Sequence, residues 1–112
     1  MVNYTVKESD WKLFRKLVPS WQENYMNELN KKYIEILNKK DVNPSDIFWE
    51  LEKTINKDKK HPGVIVQIRR SMMEENIFIM VRDGVITLAD LSGFSSELQE
   101  RINFLLEIYN RN

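Results

Sequence analysis

The chain has 112 residues, no cysteine, and seventeen basic against seventeen acidic residues. That length suits one domain, 1–112, and the missing thiols exclude disulfides, thiolate metal sites and cysteine nucleophiles. The charges balance in each half as well, nine of each sign in residues 1–56 and eight of each in 57–112, so neither half is the basic arm that non-specific nucleic-acid binding calls for.

A hydrophobic share of 42% supplies one core, and 30% charged residues supply a well-solvated surface. The longest stretch without Asp, Glu, Lys or Arg is eight residues, His61 to Ile68, far short of the roughly 18–20 apolar residues that a membrane-spanning helix needs. The first residues show no basic segment followed by an apolar run, so no signal peptide is expected and the cytoplasm is the default location.

A first helix is expected from Ser9 to Val18. Ser9 suits the N-cap, Asp10 suits the positive end of the dipole, and Trp11, Phe14 and Val18 share a stripe. Pro19 is expected to end it, because proline cannot donate the helical hydrogen bond. A second helix then opens at Ser20, where Ser20 and Glu23 have the spacing of a capping box. Trp21, Tyr25, Leu29, Tyr33 and Leu37 recur every four residues, with Met26 and Ile34 beside them, which gives an apolar face. Lys39 and Lys40 close it.

Asn43-Pro44 reads as a cap followed by proline at the first helical position. Ile47, Phe48, Leu51 and Ile55 form the expected buried stripe of that third helix, and Trp49 lies about a third of a turn off it. The lysines and His61 crowd the helix end, and Pro62-Gly63 stops it. Residues 64–82 carry apolar side chains on more than one face, which predicts a central buried helix. Two short strands are the rival reading, since Val64–Ile68 and Ile77–Val81 are rich in β-branched residues. The absence of Gly and Pro between Arg69 and Asn76 favours the helix. Asp83-Gly84 breaks the chain, Thr87 to Asp90 has capping-box spacing, and Ser95 or Ser96 caps a last helix with Leu98, Ile102, Leu105 and Tyr109 inward. The expectation is an all-α bundle of five or six helices around the 64–82 helix.

Three patterns bear on function. Asp83-Gly84-Val85-Ile86 with Asp90 echoes the second half of a calcium loop, but Ile79 and Val81 then fall where oxygen ligands are required. Residues 87–103 echo a helix-turn-helix, with Ala89 and Gly93 four apart; Gln99 then stands where a buried aliphatic belongs, and Glu97 and Glu100 face the phosphate side. Third, Trp11, Trp21, Trp49, Tyr25, Tyr33, Arg69 and Arg70 make an aromatic and basic surplus of the kind that anchors interfaces. Trp49 is the leading interaction candidate, and Arg69 and Arg70 are candidates for holding a carboxylate or phosphate. Arg70 also has Glu74 in ion-pair register, and Arg101 is the outward-facing candidate of the last helix. His61, the one histidine, reads as an exposed partner of a helix dipole. No catalytic residue, cofactor or metal site is assigned.

Phe48-Trp49-Glu50-Leu51-Glu52, Ile55, Asp58, Pro62-Gly63-Val64, Arg69-Arg70-Ser71 and Asp90-Leu91-Ser92-Gly93-Phe94-Ser95, together with Trp21-Gln22-Glu23, resemble a set of small uncharacterised bacterial all-helical proteins. The similarity spans residues 11–106. Some of that set carry the label "multidrug transporter", which the absence of any membrane-length apolar run makes untenable here. The resemblance implies an accessory role alongside mobile elements and supplies no site residue. The sequence thus leads to a non-enzymatic protein-interaction or accessory module, paired with another protein or with itself as a homodimer, with no membrane role. The alternative is a DNA-binding regulator using residues 87–103.

Overall fold

A computed structural model describes residues 4–111. It contains four α-helices and two single 3₁₀ turns: α1 (Glu8–Leu37), α2 (Pro44–Asp58), a turn at Arg70–Met72, α3 (Met73–Arg82), a turn at Leu88–Leu91, and α4 (Ser96–Arg111). The chain is all-helical, with no strand among the described residues.

The first departure from expectation is at Pro19. The two helices predicted on either side of it are one continuous helix of 30 residues, about 45 Å long. Proline inside a helix forfeits one hydrogen bond and costs about 3 kcal/mol. The stripe Trp11, Phe14, Val18 and Trp21 is buried without interruption across that point, and each such side chain contributes roughly 1.5–3 kcal/mol on burial. The stripe therefore outweighs the proline, whose ring sits on the exposed side. Ser20, expected to cap a new helix, instead donates its hydroxyl to the Leu17 carbonyl at 3.0 Å.

The second departure is at 64–82. Residues 65–69 belong to neither helix nor strand, and the α-helix begins only at Met73. Four of the five residues from Val64 to Ile68 are β-branched, which lowers helix propensity. The helical stretch is the one that opens Met73-Glu74-Glu75, with acids in its first turn. Met73, Ile77 and Met80 are fully buried there.

These elements build a head. The first half of α1 packs its aromatic stripe on α3 and α4, and Ile86, Leu91, Phe94, Leu98 and Ile102 close the core. Trp11, Phe14, Trp21 and Phe94 form a chain of rings with centroids 6.0–6.4 Å apart. Asp10, 2% exposed, accepts hydrogen bonds from the Ser95 amide (2.8 Å), the Ser95 hydroxyl (2.5 Å) and the Tyr4 phenol (2.9 Å). It thereby ties the start of α1 to the start of α4, where the Ser95 hydroxyl also accepts from the Leu98 amide. Two predicted punctuation marks are in place. Gly84 takes a positive φ of 78°, and Thr87 and Asp90 form a reciprocal capping box on the second 3₁₀ turn.

The second half of α1 leaves the head and pairs with α2 to form an arm. The molecule measures 53 × 32 × 22 Å with a radius of gyration of 16.9 Å, against about 13 Å for a compact domain of this length.

Candidate interaction surface

Asn43-Pro44 starts α2 where the sequence places it, with Asn43 in an extended cap conformation. Three polar contacts hold α2 to α1 and to the residues that follow it. The Tyr33 phenol donates to Asp58 at 2.7 Å, and burial, reinforced by that carboxylate, pushes its pKa up. Lys32 stands 3.7 Å from the same carboxylate. Lys39 binds both oxygens of Glu50 at 2.7 and 2.8 Å. Beneath these contacts Leu29 and Ile36 of α1 are buried, and Ile47 and Leu51 of α2 are half-covered.

The remaining apolar side chains of the arm face outward. The expected buried stripe of α2 does not exist as such: no α2 residue is buried, Phe48 is 61% exposed and Ile55 39%. One helix of α1 is too narrow to cover a stripe that continues around α2 from Ile47 to Phe48. Trp49 is 62% exposed and stands edge-on to Phe48, with ring centroids 4.9 Å apart. Ile34, Leu37 and Val42 are exposed as well. Phe48 and Leu51 line two adjoining grooves. One, of about 470 Å³, also includes Leu37, Val42 and Ile47; the other, of about 240 Å³, also includes Ile55. With aromatic side chains of about 150–250 Å², the patch presents on the order of 600 Å² of apolar surface. That is the top of the roughly 300–600 Å² range for the largest patch of a monomer, where such patches are often functional.

The other sequence-predicted residues lie on the head, apart from Trp49. Arg69 is exposed and precedes the first 3₁₀ turn. Arg70 does not pair with Glu74. It forms a two-pronged bond to Glu8 (2.9 and 3.2 Å) and stands 5.2 Å from the Trp11 ring centre. Glu74 is taken by Arg101, which also lies over the Phe104 ring. Arg101, expected to face outward, is therefore folded back on the head. Glu97, Glu100 and Glu107 occupy exposed positions of α4, and the segment before it is a four-residue 3₁₀ turn where a helix-turn-helix has its first helix. In the calcium-like stretch, Asp83 binds Arg82 and His61 while Asp90 caps Thr87. Among the described residues no three His, Asp or Glu side chains converge as metal ligands do.

His61 is not the exposed residue expected. Its ring lies 5.2 Å from that of Tyr25, its Nε2 is 2.7 Å from Asp83, and its Nδ1 accepts the Gly63 amide at 2.9 Å. In the neutral tautomer this pattern requires, Nε2–H donates to Asp83 and the one lone pair is occupied. The imidazole then offers no free nitrogen to abstract a proton.

Phe48 and Ile55, with Ile34 and Leu37, are residues that periodicity assigned to apolar faces turned inward and that are exposed instead; Val42 is exposed beside them. The signal was present in a stripe on α2 wider than one facing helix can cover. No helix among the described residues is long and apolar enough to cross a membrane. No protein-family model, curated protein or solved structure matches the chain.

Proposed function

We propose that this protein is a non-enzymatic interaction module that binds another protein chain through the apolar face of its α1–α2 arm. The observation that carries the reading is α2 itself: a helix of 15 residues with none buried, and Phe48 and Trp49 each about three-fifths exposed. An isolated helix of that length is marginal in water, since helices in proteins draw most of their stability from packing an apolar face. Phe48 lines both adjoining grooves and the exposed Trp49 stands edge-on to it; such aromatic side chains are the usual anchors of a binding surface. Arg70 and Arg101 are taken up by Glu8 and Glu74, and both ring nitrogens of His61 are occupied. An accessory role, as the sequence resemblance implies, suits such a module.

The test is a photo-crosslinking amino acid at position 49, with the same group at exposed Glu107 on α4 as control. Irradiation of producing cells is expected to yield a discrete crosslinked protein from position 49 and none from position 107. Equal, diffuse or absent crosslinking at the two positions would remove the proposal.

A further inference from the structure

We infer that the cleft between α2 and the last turns of α1 binds an oligophosphate, a linear anion of two or three phosphoryl groups. The cleft is about 470 Å³, and four lysines line it: Lys32 on α1, Lys39 just beyond its end, and Lys53 and Lys57 on α2. Two acids, Glu35 and Glu50, line it as well. Positive charge therefore exceeds negative there, in a chain whose formal net charge is zero.

Pairing leaves the excess in the middle of the cleft. At one end Lys39 holds Glu50 at 2.7 Å. At the other Lys32 stands 3.7 Å from Asp58, whose carboxylate also accepts the Tyr33 phenol. Glu50 and Asp58 are eight residues apart on α2, about 12 Å along its axis. Lys53 and Lys57 fall between them and enter no ion pair among the described residues. The acid in register with Lys53 is Glu50, which Lys39 has taken; Lys57 has none three or four residues away. The two lysines are also one turn from each other, and like charges at that spacing destabilise a helix. A phosphate chain lying along α2 supplies the missing negative charge.

The surroundings suit that ligand. Buried Ile36 forms part of the wall, and a low-dielectric wall focuses the field of like charges into a cleft. Lysine ammoniums on flexible stems bind phosphate as point charges. A chain of phosphoryl groups can meet ammoniums whose helical positions are about 6 Å apart along α2, and reach the lysines across the cleft as well. Glu35 opposes an anion, so removing its charge gives a test of sign. Lys53 and Lys57 lie about half a turn around α2 from Phe48 and Ile55. The site is therefore independent of the apolar face and of whatever covers it.

Calorimetric titration of the purified protein with sodium tripolyphosphate, at low ionic strength where screening is weak, tests the inference. One-to-one binding is expected. Lys53→Gln with Lys57→Gln should weaken it at least tenfold while leaving the helical circular dichroism unchanged, since both side chains are exposed. Lys12→Gln with Lys16→Gln, exposed on the head half of α1, removes the same charge elsewhere and should change the affinity less than twofold. Glu35→Gln should tighten binding at least twofold. Adenosine triphosphate binding as tripolyphosphate does would place recognition in the phosphate chain alone; binding at least tenfold tighter would identify a nucleotide as its source. No heat at millimolar tripolyphosphate, sulfate binding as tightly, equal losses from the cleft and head pairs, or weaker binding by Glu35→Gln would each overturn the site. The position-49 crosslink is read separately, so failure of the anion site leaves the apolar face standing, and the reverse.

Discussion

Replacing Asp10 with alanine probes how the head is locked. The carboxylate is 2% exposed and serves three donors, two on Ser95 and one on Tyr4. A hydrogen bond to a charged group contributes about 1.5–3 kcal/mol net, and a donor left unpaired in a buried place costs about 1–3 kcal/mol. Losing all three at once, with some relief from water reaching Tyr4, comes to about 3–4 kcal/mol. That is a large part of the roughly 5–15 kcal/mol expected of a whole domain. Asp10→Asn keeps one acceptor oxygen and should lose about half as much. Urea titrations followed by circular dichroism and tryptophan emission give the number directly. With a slope of about 1–3 kcal/mol per molar, the alanine variant's midpoint should fall by roughly 1.5–2 M. A loss below about 1 kcal/mol would refute the idea that this carboxylate joins the starts of α1 and α4.

Pro19→Ala restores a helical hydrogen bond at an exposed position and should stabilise the protein by about 1–3 kcal/mol; a lower melting temperature would mean that the ring props the groove it shares with Val64, Val66 and Ile68. Gly63→Ala should destabilise by about 1–3 kcal/mol, because a Cβ there overlaps the Tyr25 ring; an unchanged urea midpoint would contradict that packing. Asp83 is held below the usual carboxylate range, first by the Arg82 guanidinium and then by His61. A depressed folded pKa contributes stability that is present above the unfolded value of about 3.9 and is lost as pH falls through the folded value. Arg82→Gln should therefore move acid unfolding to higher pH, read by circular dichroism between about pH 5 and 2. An acid midpoint that does not move would show that the Arg82–Asp83 pair contributes nothing.

Where the sequence was readable, one local rule met no competitor. Asn43-Pro44, Gly84 and the Thr87–Asp90 box each specify a turn of chain by their own geometry, and the structure uses them as written. Pro19 was misleading because its local cost competes with a buried stripe extending from Trp11 to Trp21, and tertiary packing wins. Residues 64–69 were misleading because their apolar density fits a buried helix, while their β-branching lowers helix propensity and Pro62-Gly63 interrupts the chain before them; the segment is neither helix nor strand. The arm was half legible. Periodicity located its apolar stripe and set Trp49 apart from it, but an apolar stripe looks the same in sequence whether a neighbour covers it or not. Arg70 and Arg101 chose partners distant in sequence, Glu8 and Glu74, over the register pair that helix spacing suggests.

The absence of cysteine allows the claim about the arm to be read in living cells. A single Ser45→Cys, exposed at the start of α2, and a single Glu107→Cys on α4 are labelled with a cell-permeable maleimide in producing cells and again as dilute purified protein. A covered arm predicts that position 45 reacts at least tenfold more slowly in cells than in dilute solution, while position 107 reacts alike in both. Equal reactivity of position 45 in the two settings would contradict the account.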